Sequence, residues 1–257
     1  MSGPQCCSNP PTLNPSSGAG HVEKLGGLDA YVIGPSDPKL AILLISDVFG
    51  FEAPNLRKLA DKVAAAGYYV VVPDFLKGDP FSFEDANRPL PVWLKDHAPD
   101  KSVEDAKQVV EALKSKGVSA IGAAGFCWGA KAIVRLAKFE LIQAAVLLHP
   151  SFITPDDVKD VNVPISILGA EIDQYCPPEL IQQFGQVLTA AKPGLDCHVK
   201  IFPKVSHGWS VRYVDEDAEA VKAAEEAHQN LLEWFAKHVN CGVYLRLLRS
   251  TRDNGEG

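Results

Sequence analysis

The sequence predicts an α/β domain with a mostly parallel sheet covered by helices on both faces. Three observations carry that expectation. Strand-like and helix-like segments alternate from residue 30 to residue 238 with no obvious break. Several strand segments are continuous apolar runs, such as Leu40 to Ile45 (LAILLI), which suits strands buried on both faces. One strand-turn-helix passage carries the string Gly125-Phe126-Cys127-Trp128-Gly129, a tight turn that would expose its central side chain above the sheet.

The elements follow in order. Ala30 to Gly34 reads as a short strand ending at Pro35, and Leu40 to Ile45 as a buried one. PNLRKLADKVAAAG reads as a helix with Leu56, Leu59, Ala60 and Val63 on one face and Gly67 just past its end. Tyr69 to Val72 is a strand stopped by Pro73. Residues 77–100 are loop-rich, with several prolines and Trp93, and Ser102 is placed to cap a helix that runs to Lys116 and stops at Gly117. Strands are expected at Ala120 to Ala124, Ala144 to Leu148, Ile165 to Leu168 and Val199 to Phe202. Helices are expected at Trp128 to Phe139, Pro178 to Ala191 and Asp217 to His238, the last burying Val221, Ala224, Leu231, Leu232 and Phe235. Residues 25–240 therefore form one domain. Residues 1–24, rich in Pro, Ser, Gly and Asn, read as a flexible arm, and 241–257 as a mobile tail that does not continue the pattern.

The bulk numbers narrow the class. Lys and Arg number 25 against 32 Asp and Glu, a net charge of −7, which argues against nucleic acid or an anionic membrane surface as partner. No apolar stretch reaches the roughly 18 residues of a spanning helix. The opening residues do not read as a secretory signal. Six cysteines at positions 6, 7, 127, 176, 197 and 241 have no zinc-like spacing, so reduced thiols in a cytoplasmic setting are expected. Cys6 and Cys7 read as two exposed thiols. No metal or organic cofactor is called for, and the expected state is monomer or homodimer.

The turn at Cys127 is the sharpest signal. A strand ending AIGAA leads into it and a helix, AKAIVRLAKF, leaves it. Residues two before and two after the central position must be small, hence Gly125 and Gly129. The helix N-terminus favours a thiolate at Cys127, and the Trp128 N–H is placed as an oxyanion donor. The bland alternative is a buried Cys in an ordinary strand-helix turn.

Hydrolases built on such an elbow place nucleophile, acid and base in that chain order. The strand in ISILGAEID leads to Asp173, with Glu171 as competitor. The loop KVSHGWSVRY after the last strand carries His207, beside Gly208. Of seven histidines, His149 at the end of VLLHP is the serious rival. The expected site is thus Cys127 as nucleophile, Asp173 as acid and His207 as base on an α/β-hydrolase fold.

With these residues in place, the chain resembles the dienelactone hydrolase family over roughly residues 25–238. The resemblance rests on GFCWGA around Cys127, GAEID ending at Asp173, SHGW containing His207, and the stretch ISDVFGFEAPNLRKLADKVAAAGYYVVVPD. It implies that Asp47, in SDVFG, is the carboxylate that pairs with the Cys at rest, in a place where bacterial members carry the longer Glu. It also implies Val48 N–H as the second oxyanion donor and Arg212 as a holder of a substrate carboxylate. Arg88 is a weaker suggestion for the same task. Trp93, Trp209 and Phe81 or Phe83 are expected to line the pocket. Through MSGPQCC and NPPTLNP the chain is most similar to plant members, some of which carry the label endo-1,3;1,4-β-D-glucanase.

Three functions follow. The leading expectation is hydrolysis of small esters or lactones, like a carboxymethylenebutenolidase, through a thiol-acyl intermediate. The second is cleavage of cell-wall glucan, in which Asp47, Asp173 and Glu171 would have to supply the carboxylate pair that glycoside cleavage needs. The third is a non-catalytic binding or redox-sensing module with an oxidisable Cys127.

Overall fold

A computed structural model describes residues 9–240. The expectations for Cys6, Cys7 and the 241–257 tail fall outside these residues. The eight strands are β1 (His21–Leu25), β2 (Leu28–Ile33), β3 (Leu40–Ile45), β4 (Tyr69–Pro73), β5 (Ala120–Phe126), β6 (Ala144–Leu148), β7 (Ile165–Ile172) and β8 (Cys197–Ser206). They form one sheet in the order β1-β2-β4-β3-β5-β6-β7-β8. Only the β1–β2 and β2–β4 pairings are antiparallel; the other five are parallel.

The strand period of two explains why β3 reads as an unbroken apolar run. Ala41, Leu43 and Ile45 enter the core on one face of the sheet, Ile42 and Leu44 the core on the other. Helices α1 (Pro54–Ala65) and α7 (Ala218–His238) cover the second face, with Leu56, Leu59, Val63, Leu231 and Phe235 as their inner residues. Helices α3 (Ser102–Ser115), α4 (Gly129–Lys138), α5 (Pro155–Lys159) and α6 (Pro178–Ala191) cover the first. Gly67 and Gly117, at φ of +99° and +90°, end α1 and α3 as expected. Asp217 caps α7 by accepting the Ala220 N–H at 3.1 Å.

Several boundaries differ from the sequence expectation. β1 is an additional edge strand, HVEKL, mostly exposed and too polar to stand out. Ser102 is the first helical residue rather than a cap. Its hydroxyl donates to Pro99 O at 2.6 Å, because a 3-10 turn, Pro99–Lys101, leads directly into α3. The loop-rich segment contains a short helix, α2 (Leu90–Asp96), begun by prolines that fit a first turn. β7 runs on to Ile172, so Asp173 directly follows the strand. The described part of the arm is tied down: Arg57, buried in α1, donates to Pro15 O at 2.7 Å, Ser17 O at 3.2 Å and Phe51 O at 2.9 Å. Leu13 packs against both cores. Among the described residues, no helix is long and apolar enough to cross a membrane.

Candidate active site

The parallel strands β5, β6, β7 and β8 deliver their C-terminal ends to one edge of the sheet, and the chemistry-bearing residues follow those ends. Cys127 follows β5. Its φ is +49°, a conformation that side-chain-bearing residues seldom adopt and that close packing must impose. The packing is visible at both glycines. A methyl group at Gly125 would stand 2.6 Å from Gly129 O, and one at Gly129 would stand 2.4 Å from Ile45 O. The Cys127 N–H continues the ladder to Leu148 O at 3.1 Å, and its carbonyl accepts from Ala130 N–H at 3.2 Å at the start of α4. The positive end of α4 therefore lies against Cys127.

Asp173 and His207 meet across the β7–β8 pair. His207 Nδ1 and Asp173 Oδ2 are 2.7 Å apart, with both side chains fully buried. Asp173 Oδ1 accepts the Tyr175 N–H at 2.9 Å and the Cys176 N–H at 3.1 Å, which fixes the carboxylate. The other ring nitrogen, Nε2, is buried without a hydrogen-bond partner, and the Cys127 sulfur acts on the ring electrostatically. Burial opposes a charged imidazole, but the Cys127 sulfur and the Asp173 carboxylate outweigh it and push His207 up to about 9.

The competitors have other partners. Glu171 is on the exposed end of β7 and accepts the Lys204 N–H at 2.6 Å. His149 sits beside His207, ring centroids 5.0 Å apart, but no acid orients it: its Nε2 meets Ser210 Oγ at 2.9 Å and its Nδ1 is buried without a hydrogen bond. Burial, with the charges of His207 and Arg212, holds it well below the ordinary histidine range.

β3 runs beside β5, with Ile45 opposite Gly125, so Ser46, Asp47 and Val48 pass beside the elbow. This brings the N–H-bearing residues Trp128 and Val48 to one neighbourhood. The partner given to the Asp47 carboxylate is Arg212: Asp47 Oδ2 lies 3.4 Å from Arg212 Nε, while Oδ1 accepts the Phe49 N–H at 3.0 Å. Arg212 also reaches His207 O at 3.3 Å and lies over the Phe49 ring at 5.5 Å. The acid expected to pair with Cys127 at rest is thus also in contact with a guanidinium. Burial pushes Asp47 up, against the pull of Arg212, the Phe49 N–H and His207.

One pocket residue requires correction. Arg88 is turned to the protein's own acids: it bonds both Asp79 oxygens at 2.8 and 2.7 Å and Asp96 at 2.9 Å, holding segment 77–100 together. Trp209 lines a cleft with His207 and Arg212 and packs in the core on the α7 face, against Phe202 and His149 at 5.2 and 5.3 Å. Trp93 does pack on the Cys127 side, with Phe49 and Phe81. Its ring stacks on His97 at 4.3 Å, and His97 O accepts from Trp128 Nε1 at 2.7 Å, so this segment is joined to the elbow. Phe83 is half exposed at the rim.

Ser151 is the site residue that sequence reasoning missed. Its Oγ is 3.5 Å from Cys127 Sγ and its N–H donates to Cys127 O at 3.1 Å. The signal was available, since VLLHPS ends β6, the strand adjacent to β5. Cys127 itself has no exposed surface. A cleft of about 770 Å³ opens beside His207 and Arg212, and Cys127 does not line it.

A mostly parallel sheet with a Cys at a strained strand-helix elbow, followed in chain order by a buried Asp and the His it meets, has the α/β-hydrolase arrangement. The model of the dienelactone hydrolase family matches residues 28–239. The chain belongs to the dienelactone hydrolase family and is a hydrolase of the class that cleaves ester or lactone bonds. A Zea mays endo-1,3;1,4-beta-D-glucanase is 46% identical over 190 residues, covering 72% of this chain and 61% of the maize protein's length. A Xenopus tropicalis carboxymethylenebutenolidase homologue is 30% identical over 226 residues, covering 86% of this chain and 92% of its own. Among solved structures, one assigned as a dienelactone hydrolase from Klebsiella pneumoniae superposes with a TM-score of 0.69 at 23% identity, over 82% of this chain and 93% of that one; it speaks for the fold alone.

Proposed function

We propose that the chain hydrolyses small esters or lactones with Cys127 as nucleophile, His207 as base and Asp173 as the acid that orients it. The observation that best supports this is the convergence of three strand ends: an elbow Cys at φ +49°, coupled to a buried imidazole whose far nitrogen lies 2.7 Å from a buried carboxylate.

The chemistry runs in two halves. The Cys127 thiolate attacks the acyl carbon, a C–S bond forms, and the carbonyl electron pair moves to oxygen, held by the N–H groups of Trp128 and Val48. Collapse of that oxyanion breaks the C–O bond, and His207 gives its proton to the departing alkoxide. Water then attacks the thioester while His207 takes its proton, and Cys127 leaves as the thiolate. Asp173 keeps the imidazole oriented and stabilises its charged form throughout. A reduced, cytoplasmic setting would suit such a thiol.

The maize relative's name favours glucan cleavage as a second reading. The local chemistry counts against it. Asp47 faces Arg212 and Asp173 faces His207, so neither carboxylate is set to flank a glycosidic bond. A nucleophile without exposed surface also suits a small compound better than a polymer. The deciding experiment assays a small aryl ester, a lactone and a mixed-linkage β-glucan with the wild type and Cys127→Ala. Ester or lactone turnover that disappears in the variant is the expected result. Glucan cleavage that survives the substitution would overturn the proposal.

A further inference from the structure

The end of β6 wraps around the elbow. The Cys127 N–H donates to Leu148 O at 3.1 Å, and the Ser151 N–H donates to Cys127 O at 3.1 Å. Residues 148–151 are thus clamped to the Cys127 backbone before and after its α-carbon. The path is costly: His149 and Phe152, which bracket Pro150 and Ser151, stand at φ of +38° and +61°. Such strain persists only where the surroundings impose it. Here Thr154 caps α5 in a reciprocal box with Asp157, and Asp157 Oδ2 lies 2.7 Å from the buried Lys131 Nζ of α4. The segment is therefore held at both ends.

That path positions one hydroxyl. Ser151 Oγ lies 3.5 Å from Cys127 Sγ, its side chain is buried, and the sulfur is its hydrogen-bond partner among the described residues. We propose that Ser151 is a catalytic residue: its hydroxyl donates to the Cys127 thiolate and holds the sulfur in its ionised form. This rests on the reading of Cys127 as nucleophile and deepens it.

The direction of the bond follows from what each group can donate. A thiol and a hydroxyl can each donate to the other, but S–H is a weak donor. A thiolate only accepts, and a hydrogen bond to an ionised acceptor is about twice as strong as one between neutral groups. The same two atoms therefore stabilise the thiolate more than the thiol, which lowers the pH at which Cys127 ionises. The charged and titratable neighbours are His207 and Arg212 after β8, Asp47 after β3, Asp173 after β7 and His149 after β6. Arg212 and a charged His207 favour a thiolate, as does the positive end of α4. The two acids oppose it, and burial keeps His149 uncharged. Ser151 carries no charge, so its replacement leaves that balance in place and isolates the hydroxyl.

The test titrates the thiolate by its ultraviolet absorbance, as the difference between each protein and the same protein carrying Cys127→Ala. No reagent has to reach the buried sulfur and no substrate is needed. In Ser151→Ala the midpoint of the Cys127 signal should rise by about one pH unit, a tenfold fall in the thiolate-to-thiol ratio, as loss of a hydrogen bond to a charged group implies. Ser151→Thr keeps the hydroxyl and should return most of that shift. A midpoint that stays put in Ser151→Ala would overturn the proposal. A lowered midpoint would overturn it too, since the hydroxyl would then be accepting from the thiol. An equal rise in Ser151→Thr would trace the effect to packing and be just as fatal. If Ser151→Ala does not fold, Ser151→Gly removes the same hydroxyl and is read in the same way. Lack of ester or lactone turnover would end the hydrolysis reading but leave this titration standing. A wild type that turns over ester yet shows no Cys127 thiolate would overturn the role of Ser151 alone.

Discussion

His207 sets the pH behaviour at the scale of a single residue. Its pKa lies above the ordinary value of 6.5, at about 9. Its contribution to stability is therefore complete below about 6.5 and is lost as pH rises through about 9. The same proton serves the leaving group, so kcat/KM for a small ester should fall on the alkaline side with an apparent pKa near 9. A profile that is flat to pH 10 would remove His207 from proton transfer. Asp173→Asn should keep the fold and lower kcat by about 10²-fold or more, as loss of an orienting acid does. Ser151 touches the sulfur rather than any expected substrate position. Ser151→Ala should lower kcat by a few-fold to about tenfold with KM unchanged, in a single-substrate assay. A change confined to KM would place Ser151 in binding instead.

Elements determine how much of this was legible beforehand. The elbow could be read because its sterics are local: two glycines, one Cys and the flanking strand and helix occupy consecutive positions. Gly129→Ala places a methyl 2.4 Å from Ile45 O, backbone that cannot step aside. It should cost about 1–3 kcal/mol and lower Tm by roughly 2–12 °C, measurable by calorimetry. Asp173 and His207 were legible from chain order and strand ends. The Asp47–Arg212 pair was not, because it joins residues 165 positions apart in a register that the sequence does not print. β1 escaped notice since an exposed edge strand has no apolar run, and α2 because its prolines resemble those of a loop. Arg88 misled for a related reason: its partners, Asp79 and Asp96, are supplied by the folding of the segment around α2.

At the scale of the whole molecule, enclosure of the sulfur is the main fact. Cys127 and Cys176 are buried while Cys197 is half-buried. Peptide mapping after brief iodoacetamide treatment should find Cys197 alkylated before Cys127 in the native protein, with the difference erased by denaturant. Early labelling of Cys127 would mean that the site opens readily. The strap at residues 9–20 contributes to the same closed body. Deleting residues 1–17 would leave the buried Arg57 guanidinium without the Pro15 and Ser17 carbonyls. Loss of those two bonds to a charged donor should cost about 2–4 kcal/mol, readable as a lower denaturant midpoint.

Gly208 has a consequence for anyone who reshapes this pocket. A Cβ there would lie 2.0 Å from the Arg212 guanidinium, and the backbone stands at φ +92°. Positions 208 and 212 are therefore one unit for redesign. Saturating 208 alone would return inactive clones and suggest an immutable glycine. Shortening Arg212 in the same library would open the space, leaving only the backbone preference, which Gly208→Asn tolerates best. Variation at this corner is thus to be sought in double substitutions, where single-site screens would find none.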